Sequence, residues 1–293
     1  MGTDMATASV RHTTAASLSR EHPGLVRLGQ AGWLAKGVVY VLAGVLAAVL
    51  LARALNVATG ATAATGSEAE ASPTGAINQI ATFAGGRALL VAMGIGLLLY
   101  AVWRLLTAVL PGGTDAEALA TRAGYLVSAV LYGTFGVSAL RLASNPSRTE
   151  DGDQKARDIT ARTFGYPLGR WAVGLAGLIT VGAGIYRIVK GYRGDVTDEV
   201  DLAGMSPART RLTRRLAMAG EIGRGVAVGL IGVFITRAAV QFDPAEATGL
   251  DGALNRLAEV QWGRVVIGVI ALGFVLYGIM CIESFRHRKL RTP

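Results

Sequence analysis

The sequence is short of several residue types. It has one cysteine, Cys281, so an intrachain disulfide is excluded. Its three histidines, His12, His22 and His287, fall in terminal segments, and no Cys/His cluster has metal-ligand spacing. No metal site and no cofactor is expected. Proline is scarce, at 8 residues, so long helices meet few breaks. Charged residues make up 17%, against about 25% in an ordinary soluble domain. With 52% hydrophobic residues and a mean hydropathy of +0.43, that deficit places the chain in the membrane class.

Glycine is abundant, at 39 residues, with no Gly-x-y period. Small residues of this kind let transmembrane helices approach closely. The net charge of +9 reads as membrane topology rather than as nucleic-acid affinity, because no aromatic-rich recognition module accompanies the basic runs.

A bilayer crossing needs about 20 mostly apolar residues. Six segments qualify, near 29–52, 87–110, 121–142, 168–190, 216–238 and 263–284. An all-α polytopic protein follows, since a spanning backbone must satisfy its own hydrogen bonds. Residues 1–24, rich in Thr, Ala and Ser, read as a flexible N-terminal tail. A secretory signal is disfavoured, because the region before the first apolar run is too long.

The spans repeat. The odd ones read "AGWLAKGVVYVLAG", "AGYLVSAVLYGTFG" and "AGEIGRGVAVGLIG", aligned on Gly32, Gly124 and Gly220 and closed by Gly44, Gly136 and Gly232. Lys36 thereby falls opposite Ser128 and Arg224. Before the even spans, "GAINQIATFAGGR" (75–87) matches "GALNRLAEVQWGR" (252–264), and the middle unit ends alike in "FGYPLGR" (164–170). The units are 25–110, 117–193 and 211–286, with a basic tail at 287–293. Two helices per unit make the repeats parallel, about an axis along the membrane normal. They either ring a pseudo-threefold axis or pack in a row.

Arg87, Arg170 and Arg264 each open an even span. Arg104 and Arg187 stand about 26 Å further along the first two, near the hydrocarbon thickness of about 30 Å. These five read as interface arginines. The third unit has Cys281 in place of the second arginine, with Arg286 beyond it. "GAINQIA" and "GALNRLA" fit short amphipathic helices on the outer face. The run "SRTEDGDQKARD" (147–158) reads as a solvated external loop.

Lys and Arg are in excess in the connections on the side that holds both termini, so both termini are expected in the cytoplasm. The localisation expected is the plasma membrane. The runs "RTRLTRR" (209–215) and "RHRKLR" (286–291) then face anionic lipids of the inner leaflet.

The three repeats resemble the bacterial family called domain of unknown function 1206. The resemblance rests on "RLGQAGWLAKGVVYVLAG", on "ARTFGYPLGRWAVGLAGLITVGAGIYRIVKG" and on "GALNRLAEVQWGR", and runs from about Arg27 to Arg286. It implies an integral membrane protein of three two-helix units and supplies no catalytic residue.

The candidate intramembrane polar positions are Lys36, Ser128, Glu221, Arg224 and Glu283. Lys36 and Arg224 have a plain reading, snorkelling to the headgroups. In the sharper reading the repeated position lines a central pore or pocket. Glu221 and Arg224 are three apart on one helix face and read as a pair. Glu283 is a candidate proton or cation site, but its position near a helix end favours a solvated carboxylate. No Ser/His, Asp/Asp or His-rich set lies within the spans, so no enzyme is expected. The function expected is a small-solute or ion transporter or channel-like protein. The alternative is a structural or partner-organising membrane protein. The partners expected are lipid, other proteins or a second copy, and no nucleic acid.

Overall fold

The computed structural model describes residues 23–55, 73–81, 85–109, 116–145, 151–194 and 205–284. Most of the N-terminal tail and the basic run 286–291 lie outside the described residues. Among those described, all regular structure is helical: α1 Pro23–Ala54, α2 Pro73–Ile80, α3 Gly86–Val109, α4 Ala116–Ser144, α5 Gly152–Phe164, α6 Gly169–Arg193, α7 Pro207–Gln241, α8 Leu250–Ala258 and α9 Gly263–Ser284, with a 3-10 turn at Pro244–Glu246. Six of them, α1, α3, α4, α6, α7 and α9, are long and apolar enough to cross a membrane. These are the six segments read from the sequence.

Local chemistry sets several helix ends. Ser206 caps α7 by accepting from the Arg209 N–H, with Pro207 in the first turn, where its missing N–H costs nothing. Gly194 ends α6 at φ 77, a left-handed conformation that glycine adopts without strain, and its N–H returns to the Gly191 carbonyl.

The helices adjoin in the order α4, α3, α1, α9, α7, α6. Three of these junctions, α3 with α4, α6 with α7 and α9 with α1, join one unit to the next and are equivalent. At each, the glycine closing an odd span meets the same position of an even span. A Cβ on Gly44 would lie 2.7 Å from Val275, one on Gly136 2.8 Å from Leu98, and one on Gly232 2.6 Å from Val181. Any larger residue would force these backbones apart. The repeat is therefore expressed as a pseudo-threefold set of interfaces.

Within units the symmetry breaks. Gly32 and Gly220 abut Tyr100 and Tyr277 of their own units, each Cβ position 2.7 Å from the tyrosine Cβ. Gly124 in the middle unit meets nothing within 4 Å. Among the described residues the ring is open at one seam, between α4 and α6. The sequence carries the cause. Where the third unit brings Gly223 against Gly273 (2.6 Å from a Cβ on Gly223 to the Gly273 Cα), the middle unit has Val127 and Ile179, both well exposed. Two β-branched side chains cannot repeat a glycine–glycine contact.

The short helices α2 and α8 form where "GAINQIA" and "GALNRLA" predict them. They bury Ile77 and Ile80, and Leu250, Leu254 and Leu257. One expectation needs correction. Residues 152–158 of the mixed-charge run are the opening turns of α5, not a loop. Asp151 caps the helix, accepting from the Asp153 and Gln154 N–H groups. Asp153 in turn accepts from the Gly249 N–H at 2.7 Å, tying α5 to the start of α8.

Candidate functional site

Lys36 is 2% exposed, enclosed within the bundle. Its ammonium lies 4.6 Å from the Trp33 ring centroid, 5.2 Å from Tyr100, and 5.1 Å from both Tyr132 and Tyr277. It donates to the Tyr100 hydroxyl at 3.4 Å. Burying an unpaired ion costs several kcal/mol. A desolvated cation over an aromatic face recovers about 2 kcal/mol. Four faces are thus enough to offset the burial of one ammonium, and this replaces the snorkelling reading of Lys36.

Arg224 sits over the same aromatic group, 4.1 Å from the Tyr277 ring and 5.1 Å from Tyr40. It also donates to Glu221 at 2.6 Å, the pair expected from the spacing. Glu221 accepts in addition from Arg187 of α6 at 2.8 Å. The hydroxyls of Tyr40 and Tyr132 are hydrogen-bonded at 3.4 Å. Arg104 donates to the Tyr100 hydroxyl at 2.9 Å and stacks on Tyr125. Every one of the six spans thus contributes to one polar and aromatic cluster, in which Arg187 and Arg224 share the carboxylate of Glu221 and Lys36 lies among the rings beside them. The arrangement presents positive charge and hydrogen-bond donors, which suits an acceptor-rich anion.

The other sequence-derived positions divide. Ser128 bonds to the Gly124 carbonyl of its own helix and does not join Lys36 and Arg224, because the seam beside α4 is open. Glu283 is not a free solvated carboxylate. It pairs with Arg209 and accepts from Thr213 at 3.0 Å, which ties α9 to the start of α7. Arg170 reaches across to cap α7, donating to the Ala239 and Val240 carbonyls at 2.8 Å each. Arg87 is exposed and Arg264 half-buried. Arg104 departs from the interface-ruler reading because it is buried, whereas Arg187 pairs with Glu221 and keeps its side chain 33% exposed. Their carboxylate and aromatic partners lie on neighbouring helices. Cavities of about 380 and 450 Å³ lie along α4 and α5 (Ser138, Arg141, Lys155) and between α6 and α7 (Val181, Thr236, Arg237).

Sequence reasoning missed the aromatic half of the cluster, Trp33, Tyr40, Tyr100, Tyr132 and Tyr277. The repeat carried a signal for it. Tyr40 and Tyr132 occupy the same position of the odd spans, and Tyr100 and Tyr277 the same position of the even spans.

Three two-helix units, six apolar helices and no strand among the described residues define an all-helical, multi-pass membrane protein. The chain belongs to the family described as Domain of Unknown Function (DUF1206), whose model matches residues 31–110, 123–194 and 219–283, one segment per repeat. It is also similar to the uncharacterized protein YxxB of Bacillus subtilis (strain 168), at 31% identity over 263 residues, 89% of this chain and 90% of that one. No solved structure matches it.

Proposed function

We propose that the chain is a non-enzymatic transporter or channel-like protein for small solutes or ions, with its site at the Lys36–Arg224 cluster. The observation that supports this is the convergence of all six spans on one cluster of cations and tyrosines, with Lys36, Arg104 and Arg224 buried and Arg224 paired with Glu221. Ionisable groups inside a bilayer are costly to hold, and they mark solute and ion paths by default. The sign of the cluster favours an anion. The excess of Lys and Arg beside the termini supports cytoplasmic termini in a plasma membrane.

The test is flux into sealed vesicles reconstituted with the full chain, across a panel of inorganic and small organic anions. Uptake of one class above protein-free vesicles, lost in Lys36→Ala/Arg224→Ala, supports the reading. Flux unchanged by protein across the panel contradicts it. The second reading, a partner-organising membrane protein, is favoured by the aromatic rings that fill the cluster and by the close glycine interfaces. A partner that co-purifies with wild type and survives the double substitution would support it.

A further inference from the structure

The seam between α4 and α6 has a chemistry of its own. Its apolar walls include Val127, 59% exposed, and Ile179, 62% exposed. These stand where the other units close their helix pairs. At the same seam one cation of the cluster comes to the surface. Arg187 is the middle-unit counterpart of Arg104, and both touch the first helix of the next unit, Arg187 through Glu221 and Arg104 through Tyr125. On its other side Arg104 is closed in by α1, whose Lys36 shares the Tyr100 hydroxyl with it. The matching neighbour of Arg187 is α4, across the open seam. Arg104 is accordingly 8% exposed, while the Arg187 side chain is 33% exposed.

We propose that this seam holds one anionic lipid, its headgroup on Arg187 and an acyl chain along Val127 and Ile179. Charge complementarity selects the occupant. Arg187 and Arg224 share one carboxylate, and the Lys36 ammonium stands behind them with no ion pair among the described residues, so the local field is positive. A second apolar protein surface would cover Val127 and Ile179 but leave that field uncompensated. The depth also fits. Arg187 lies six residues before the end of α6, roughly 9 Å along the helix, within snorkelling reach of the headgroup boundary. A lipid held there does not require the protein to transport anything, so this proposal and the transport reading can fail separately.

The test is native mass spectrometry of the full chain in detergent, titrated with dioleoyl phosphatidylglycerol or with dioleoyl phosphatidylcholine. Wild type is expected to take up one phosphatidylglycerol at about tenfold lower concentration than phosphatidylcholine. Arg187→Gln should abolish the preference for that molecule, and Arg187→Lys should keep it. Gly124→Leu is the arm that changes no charge. A Cβ on Gly124 meets open space, so a leucine there adds apolar bulk at the seam and should expel the same lipid. Equal uptake of the two lipids by wild type overturns the proposal. So does a preference that survives Arg187→Gln or Gly124→Leu, which would assign the lipid to the basic run 209–215. A dimer that binds no lipid and is dissociated by Gly124→Leu also overturns it, in favour of a second copy in the seam.

Discussion

Glu221 is the carboxylate that Arg187 and Arg224 share, and replacing it with glutamine keeps its shape while removing that charge. Its carboxylate lies 2.6 Å from Arg224 and 2.8 Å from Arg187, and its side chain is 14% exposed. The Arg224 side chain is 11% exposed, so this pair is nearly fully withdrawn from solvent. At an effective dielectric of about 20 and a charge separation of about 4 Å, one such attraction is worth about 4 kcal/mol. The pair with Arg187 counts for less, because that side chain is a third exposed and its charge is better screened. Removing one partner of a buried pair costs about 3–5 kcal/mol, chiefly because the other charge is left uncompensated. Glu221→Gln should therefore lose about 3 kcal/mol, a factor of roughly 100 in the unfolding equilibrium. The assay is equilibrium unfolding of detergent-solubilised protein, followed by helix content. A second variant separates lost charge from lost contact. Glu221→Gln/Arg224→Met removes the stranded cation as well, and should recover at least about 1 kcal/mol, since an apolar replacement of a buried ion pair is often neutral or better. A loss below about 1 kcal/mol, with no recovery in the double variant, would refute the reasoning.

Three further outcomes follow from the packing. Gly184→Leu should destabilise by about 3 kcal/mol or more in the same unfolding assay, because a Cβ there would lie 2.6 Å from the Gly229 backbone nitrogen, whereas Gly182→Ala, which meets open space, should be neutral or gain up to about 1 kcal/mol. Tyr100→Phe removes the oxygen that accepts from both Lys36 and Arg104 and should cost about 1–3 kcal/mol; an unchanged midpoint would show that the hydroxyl does not hold the two cations. Asp151→Ala should lower stability by about 1 kcal/mol through the lost cap of α5, and raise hydrogen exchange locally over residues 152–164.

Much of the architecture was legible in one dimension because it is repeated. The Ala-Gly and Gly-Arg openings located six spans and three units, and the closing glycines Gly44, Gly136 and Gly232 turned out to make equivalent contacts. The open seam was also present in the sequence, as Val127 and Ile179 in place of glycines. Its meaning depended on knowing which helices adjoin. Lys36 and Arg224 were found from their repeated position, but the tyrosines around them were not, since an aromatic residue in an apolar helix reads as packing until a cation is placed on its face. Arg104 departs from its spacing-based reading for a related reason. Spacing along one helix matches a membrane thickness whether or not a neighbour draws the side chain inward. The run at 147–158 was read as a loop from its charge, although an exposed amphipathic helix such as α5 has the same average polarity.

The proposed role of the Lys36–Arg224 cluster as a binding site differs from a purely structural role in what the protein carries. The most direct measurement is native mass spectrometry on protein released gently from its own membrane, with Lys36→Ala/Arg224→Ala beside it. A small, non-lipid anion is expected bound to wild type and absent from the double variant. Wild type and variant carrying the same ordinary lipids and no other mass would contradict it.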